Sequence, residues 1–247
     1  PQGYALTVAG AELLARAEDA ETAMRVATSS LPVQSDSLTG QMRIGAPDGC
    51  ANYVLPQVCA ALAVEHPELD IQIVALPRVF NLSRREADLA VGVSAPTAGR
   101  LTVQKITDYH LHLAASDAYL KTNAAISTLT DLKAHRVVGY IPDMIFDREL
   151  DYLADIGVGR VPLASNSVSV QLNLLRQGGG VGVVHDFALP FAPELRVILK
   201  DQISLKRSFY MIRHEDDRQN AKLARFAQSL ADGVRQEVVR LETSTLT

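Results

Sequence analysis

No run in this 247-residue chain approaches the roughly 20 apolar residues that a membrane-spanning helix needs, since even VLPQVCAALAVEHP is broken by Pro, Gln and Glu. That excludes a helical membrane span. Basic residues are also not in excess: 24 Lys and Arg stand against 28 Asp and Glu, for a formal charge of −4. Nucleic-acid binding by this chain alone is thereby disfavoured, because neutralising phosphates takes clustered Lys and Arg. Cysteines number two, Cys50 and Cys59. On one expected helix, at about 100° per residue, they fall on opposite faces about 13 Å apart and cannot pair, which fits a reducing compartment. The opening PQGYALT has neither the basic leader nor the apolar core of a secretory signal, so a cytoplasmic location is expected. Strict internal repeats, a metal-ligand spacing and a phosphate-binding motif are absent too, and no cofactor is expected.

The chain is organised around Gln41 to Leu62, QMRIGAPDGCANYVLPQVCAAL. Met42, Ile44 and Ala46 alternate with Arg43 and Gly45, the two-residue period of a half-buried strand. After Pro47-Asp48-Gly49 the period lengthens, which predicts a helix with the apolar stripe Val54, Leu55, Val58 and Leu62 and with Asp48 accepting bonds from its first free amides. Such a strand-to-helix junction is a seat for a ligand, although a capped helix start is the plainer reading.

Upstream, residues 1 to 30 predict one long helix with Thr7 as N-cap. Leu13, Ala17, Ala20, Met24 and Ala27 recur at the spacings of a coiled-coil seam. A seam this thin calls for a close-packed second copy, the alternative being a helix on the surface of its own core. SSLPVQSDSLTG then reads as a flexible connector. Downstream, His66-Pro67 ends the central helix, and Leu69, Ile71 and Ile73 form a second strand, giving a βαβ unit and a parallel pair. A short helix around Asn81 to Ala87 leads to the buried strand LAVGV.

Thr107 to Ala115 predicts another strand, with His110 and His112 on one solvent-facing side, and a helix starts at Ser116-Asp117. Val137 to Ile141 reads as a strand and Phe146 to Leu153 as a helix. SNSVSVQLNLLRQGGGVGVV is a capped helix, a glycine stop and a buried strand. Gly178-Gly179-Gly180 follows a helix and precedes a strand, the reverse of a phosphate loop, and is read as a helix C-terminus. Arg207 to Ile212 is a last strand. Ala221 to Arg240 is a long helix presenting Leu223, Phe226, Ala227, Leu230, Val234 and Val238 on one face.

Four stretches in this order resemble the LysR-type transcriptional regulators over nearly the whole chain. PQGYALTVAGAELLARA is similar to the family's wing end and linker helix, and MRIGAPDGCANYVLP to its first effector-domain strand and helix, with Leu55-Pro56 in the signature place. LSRREADLAVGV puts Asp88 in the family's acidic position, and VQLNLLRQGGGVGVV resembles its late helix, glycine and strand. The resemblance implies two Rossmann-like α/β lobes as in type 2 periplasmic binding proteins. It implies a linker helix with a wing remnant at 1–31, a connector at 32–40, lobe I at 41–108 and 207–247, and lobe II at 109–206. DNA would be contacted only through an N-terminal winged helix-turn-helix domain that is almost wholly missing here.

By the same resemblance, a small-molecule effector would sit between the lobes. It would lie against Ala46, Pro47, Asp48, Gly49 and Cys50, then Pro77 and Arg78, then Ile141, Pro142 and Asp143, then Asn166 and Ser167, and finally His185 and Phe187. Many members hold a carboxylate with Ser or Thr in the first loop, whereas this chain has Pro47, Asp48 and Gly49. Asp48 would repel an anion unless Arg78 or a proton compensates. The expectation is a homo-oligomeric sensing domain, dimeric or tetrameric, and not an enzyme. The competing readings are a stand-alone solute-binding protein, a redox sensor acting through Cys50, and an enzyme using the neighbourhood of Asp48, Cys50 and His185.

Overall fold

The computed structural model describes residues 6–29, 37–75, 87–97 and 99–245. Helix α1 (Val8–Ser29) starts where expected, with the Thr7 hydroxyl accepting from the Gly10 amide at 3.1 Å. Leu13 and Met24 on its seam are 72% and 71% exposed. Strand β1 (Gly40–Ala46) follows, with Met42, Ile44 and Ala46 buried. The long helix expected after it is two helices, α2 (Asp48–Tyr53) and α3 (Leu55–Glu65), broken at Val54. Pro56 in the first turn of α3 has no N–H to return to the carbonyl of Asn52, so the hydrogen-bond ladder stops and restarts. Val54, Leu55, Val58 and Leu62 are all buried as the stripe predicts, and so are Cys50 and Cys59, which lie on separate helices as free thiols.

Strand β2 (Leu69–Ala75) pairs in parallel with β1, the two joined by the helical crossover, and β3 (Leu89–Gly92) pairs in parallel on its other side. The acidic position Asp88 ties these strands: its carboxylate accepts from the Arg43 amide at 2.7 Å, and its own amide donates to the Arg43 carbonyl. Pro77, Arg78 and all but the last residue of the short helix expected at Asn81 to Ala87 lie outside the described residues.

Strand β4 (Leu101–Ser116) starts six residues earlier than the sequence suggested. It runs directly into α4 (Asp117–Thr122), which Ser116 caps by accepting from the Tyr119 amide. After β5 (Val137–Gly139) the expected helix at Phe146 to Leu153 does not form, and single 3-10 turns occupy Pro142–Met144, Arg148–Leu150 and Ala154–Ile156. Aspartates interrupt it: the Asp147 carboxylate takes the Glu149 amide at 2.9 Å and Asp151 takes the Ala154 amide at 3.2 Å, local bonds that compete with a helical ladder. Then come β6 (Leu163–Ala164), α5 (Val168–Arg176), β7 (Val181–His185), β8 (Leu195–Ile198), β9 (Leu205–His214) and α6 (Ala221–Thr245).

Among the described residues nine strands form one sheet in the order β2-β1-β3-β9-β4-β7-β5-β6, with β8 also on β4. The long antiparallel β4 and β9 are the bridge. They pair from Leu101↔His214 to Leu111↔Leu205, and beyond Leu111 β4 takes β7 and β8 as its neighbours. One lobe therefore gathers on β2, β1 and β3, and the other on β7, β5 and β6. The predicted apolar face of α6 is buried against α3, β4 and the turn at Asp186–Phe191, so this helix touches both lobes.

His110 and His112 do share a strand face, but neither simply faces solvent. The His112 ring is buried with Nδ1 at 2.8 and 2.9 Å from the two Asp186 carboxylate oxygens, and His110 Nδ1 lies 2.9 Å from the Glu242 carboxylate. A paired charge is the way a strand histidine is accommodated under α6 and the 186–191 turn.

The glycine run after α5 ends the helix as expected, and its carbonyls at Gly178 and Gly179 accept from the Arg136 guanidinium. Gly180 has φ +154°, and a Cβ there would stand 2.1 Å from the Arg136 carbonyl oxygen. Replacing it with alanine therefore moves backbone and not merely a side chain. We expect Gly180→Ala to lower the unfolding free energy by about 2 kcal/mol or more, measured by urea denaturation; an unchanged midpoint would contradict this packing.

Candidate functional site

The lobes meet where β1 hands over to α2 and where α5 begins. Pro47, in extended conformation, precedes α2, and no side chain caps that helix. Asp48 is thus not the cap of its own helix. Its Oδ2 reaches across to α5, accepting from the Ser167 hydroxyl at 3.0 Å and from the amide and hydroxyl of Ser169 at 2.9 Å each, while Oδ1 accepts from Asn52 at 3.2 Å. Ser167 is at the same time the N-cap of α5, accepting from the Val170 amide. A carboxylate from one lobe thereby satisfies the free donors and positive dipole end of a helix in the other, a charge-assisted arrangement.

Further contacts close the same gap. The Ser94 hydroxyl after β3 donates to the Asp147 carboxylate. Arg207 on β9, with a side chain 14% exposed, holds both the carboxylate and the carbonyl of Glu149. Gly49 makes the approach possible. A Cβ there would meet Val168 Cγ2 at 3.1 Å and His185 Cε1 at 3.6 Å, so a larger residue would push the lobes apart.

Behind Asp48 the cleft is packed with rings. Tyr109 stacks on Phe209 with centroids 4.3 Å apart, Phe187 packs edge-on to Tyr109, and His185 lies 4.9 Å from Phe187. The Tyr152 hydroxyl is 3.2 Å from His185 Nε2. Burial lowers the His185 pKa to about 4, with Asp48 pulling weakly the other way, so the ring is neutral near pH 7. Burial also raises the phenols of Tyr109, Tyr140 and Tyr152, which stay protonated. Among the described residues one cavity here offers about 20 Å³, enough for one or two waters, bordered by Pro47, Asp48, Gly49, Cys50, Asn166 and His185 among others.

Of the residues expected at this site, Pro47, Asp48, Gly49, Cys50, Asn166 and His185 do line that cavity, and Ser167 bonds Asp48 at its edge. Ala46 is fully buried at the end of β1, and Phe187 is fully buried behind His185. Ile141 is half-buried and does not border that cavity, Pro142 borders a different cavity and Asp143 is exposed. Pro77 and Arg78 lie outside the described residues. Sequence reasoning missed Ser169, Tyr109, Tyr140, Tyr152 and Phe209. Only Ser169 left a usable signal, as the second serine in the first turn of a capped helix; the aromatics come together from two strands and the segment after β5.

The bonds of Asp48 go to Ser167, Ser169 and Asn52, and that of His185 to Tyr152. The Cys50 thiol is raised far above its ordinary pKa by burial, and that of Cys59 is pushed up to about 12. Protonated, buried thiols react slowly with peroxides.

A family model described as the LysR substrate binding domain matches residues 35–235. The chain belongs to this family. The HTH-type transcriptional regulator PtxR of Pseudomonas aeruginosa is 25% identical over 154 residues, covering 60% of this chain and 49% of PtxR. An uncharacterised HTH-type transcriptional regulator of Haemophilus influenzae is 26% identical over 174 residues, covering 66% of this chain and 58% of that protein. The LysR chain described here spans about half the length of these curated relatives. In fold it is similar to the regulatory domain of CrgA, a LysR-type regulator of Neisseria meningitidis, with a TM-score of 0.70 at 18% identity over 78% of this chain and 98% of that one. It is also similar to a peroxide-bound cysteine-to-serine mutant of OxyR from Corynebacterium glutamicum, with a TM-score of 0.66 at 20% identity over 98% and 80% of the two chains. Mixed α/β lobes bridged by two strands are thus the LysR effector-binding fold. No described helix is long and apolar enough to cross a membrane.

The neutral His185 makes the LysR domain acid-sensitive in a defined window. Its folded pKa of about 4 lies below the ordinary value of 6.5, so the unfolded chain takes up the proton first as pH falls. The stabilisation is complete above pH 6.5 and disappears towards pH 4, a loss on the order of 3 kcal/mol. Chemical denaturation between pH 7 and 4 should show this slope, and His185→Gln should flatten it; an equally steep variant would remove His185 as the cause.

Proposed function

We propose that this LysR domain is the effector-sensing and self-associating part of a DNA-binding transcriptional regulator, and that the Asp48 carboxylate is the catch holding its two lobes closed. The observation that carries this reading is the seating of Asp48 on the N-terminus of α5 across the cleft. An effector shifts such a domain only by binding its open and closed forms with different affinity. Asp48 occupies the anion seat of α5, so an effector in the cleft competes with it or leaves it in place. The contacts available to that effector are Pro47 to Cys50, Asn166, Ser167 and His185, with Ala46, Phe187 and the 141–143 turn as supports and Pro77-Arg78 as further candidates.

The partner swap of β4 at Leu111 and the return through β9 support dividing the chain into lobes at 41–108 with 207–247 and at 109–206. DNA is reached through a winged helix-turn-helix domain preceding α1, in keeping with the HTH-type relatives, and the protein acts in the cytoplasm. Exposed Leu13 on the α1 seam supports pairing with a second copy, and the spacing between paired copies is what the effector changes.

Asp48→Ala should increase the radius of gyration in small-angle X-ray scattering and lower the unfolding free energy by about 2 kcal/mol, with Asp48→Asn in between. An unchanged profile would remove the catch. For self-association, Leu13→Glu combined with Ala17→Glu should reduce the mass measured by light scattering at micromolar concentration. An unaltered mass would place the interface elsewhere.

A further inference from the structure

The cavity beside Asp48 is small, and the second lobe holds a larger one. No helix forms between Phe146 and Leu153, and three short 3-10 turns take its place after β5. Beneath them lies a cavity with about 310 Å³ of room for water centres, against about 20 Å³ in the cleft. That is the scale at which a small organic molecule is accommodated.

We propose that this second-lobe cavity is a binding site for a neutral, largely apolar small molecule carrying one hydrogen-bonding group. The inference rests on the reading of the chain as a sensing domain. The sheet contributes Val138 and Val183 to the walls, and the covering turns contribute Ile145, Leu153 and Val158. Polar side chains on the lining are few: Tyr140, Tyr152, whose hydroxyl is taken up by His185 at 3.2 Å, and Gln171, whose amide nitrogen donates to the Ser165 carbonyl at 2.8 Å. Among the described residues on the lining Asp151 is the charged one and none is basic, so an anionic ligand would lose its hydration without gaining a counter-charge. Tyr140, Leu150 and Tyr152 line both this cavity and the inter-lobe one, forming a partition that a ligand on one side presses against the other. Exposed Ala154 lies on the rim.

N-phenyl-1-naphthylamine, a neutral probe that brightens in apolar surroundings, tests the site by fluorescence titration of the intact chain. We expect saturable binding at one molecule per chain, weakened by about tenfold or more both by Ala154→Trp at the rim and by Val183→Phe in the wall. The rim variant keeps the test decisive should the wall variant not fold. The sulfonated analogue 8-anilino-1-naphthalenesulfonate, of the same skeleton with a negative charge, should bind about tenfold more weakly or worse.

Absence of saturable binding overturns the proposal, as does binding that ignores Ala154→Trp. Equal affinity for the sulfonate overturns the neutral class. Asp48→Asn separates this inference from the function proposed above. Probe binding lost with Asp48→Asn but kept with Ala154→Trp would put the ligand in the cleft. Binding lost only with Ala154→Trp would support the second-lobe cavity even if scattering showed no role for Asp48 in closing the lobes.

Discussion

The antiparallel pairing of β4 with β9 is the constraint on which the rest of this molecule depends. Two strands of 16 and 10 residues run from one lobe into the other, so both lobes hang on a single hydrogen-bonded sheet. The register shift between Lys105 and Thr107 falls within this pair, where an irregularity lets the strands bend without losing their ladder. Every inter-lobe contact described above is set by how this pair delivers β1 and α2 on one side, and β7 and α5 on the other, to a common gap.

What fills that gap is a balance between packing and polarity. Tyr109, Phe187 and Phe209 bury large ring areas, and the buried imidazole of His185 is tolerated because it is neutral and faces the Tyr152 hydroxyl. Asp48 solves the opposite problem. To its carboxylate α5 offers three donors and the positive end of a helix, and the Ser167 hydroxyl serves both its own helix and the neighbouring lobe.

Much of the architecture was legible in the residues. The alternation of Met42, Ile44 and Ala46, the stripe on α3 and the face of α6 are periodic because each element buries one side, and periodicity survives whatever the element packs against. Thr7, Ser116 and Ser167 marked helix starts for the same local reason. The failures were where local and distant partners compete. Pro56 was readable as a signature but its break at Val54 was not drawn from it; Asp48 fitted a cap but bonds a helix more than a hundred residues away; and the histidines of β4 meet carboxylates from the 186–191 turn and from α6.

By itself, then, the sequence determined the strand and helix pattern, the parallel βαβ start, the absence of a membrane-spanning helix and the family to which these motifs belong, because all of these depend on neighbours within a few residues. The tertiary structure alone decided that Asp48 bonds across the cleft to α5, and that open space lies under the 142–156 turns. Those outcomes depend on which distant groups the sheet brings within hydrogen-bonding reach, and on whether a short segment finds better partners than its own helical ladder. Neither is written in the spacing of residues along the chain.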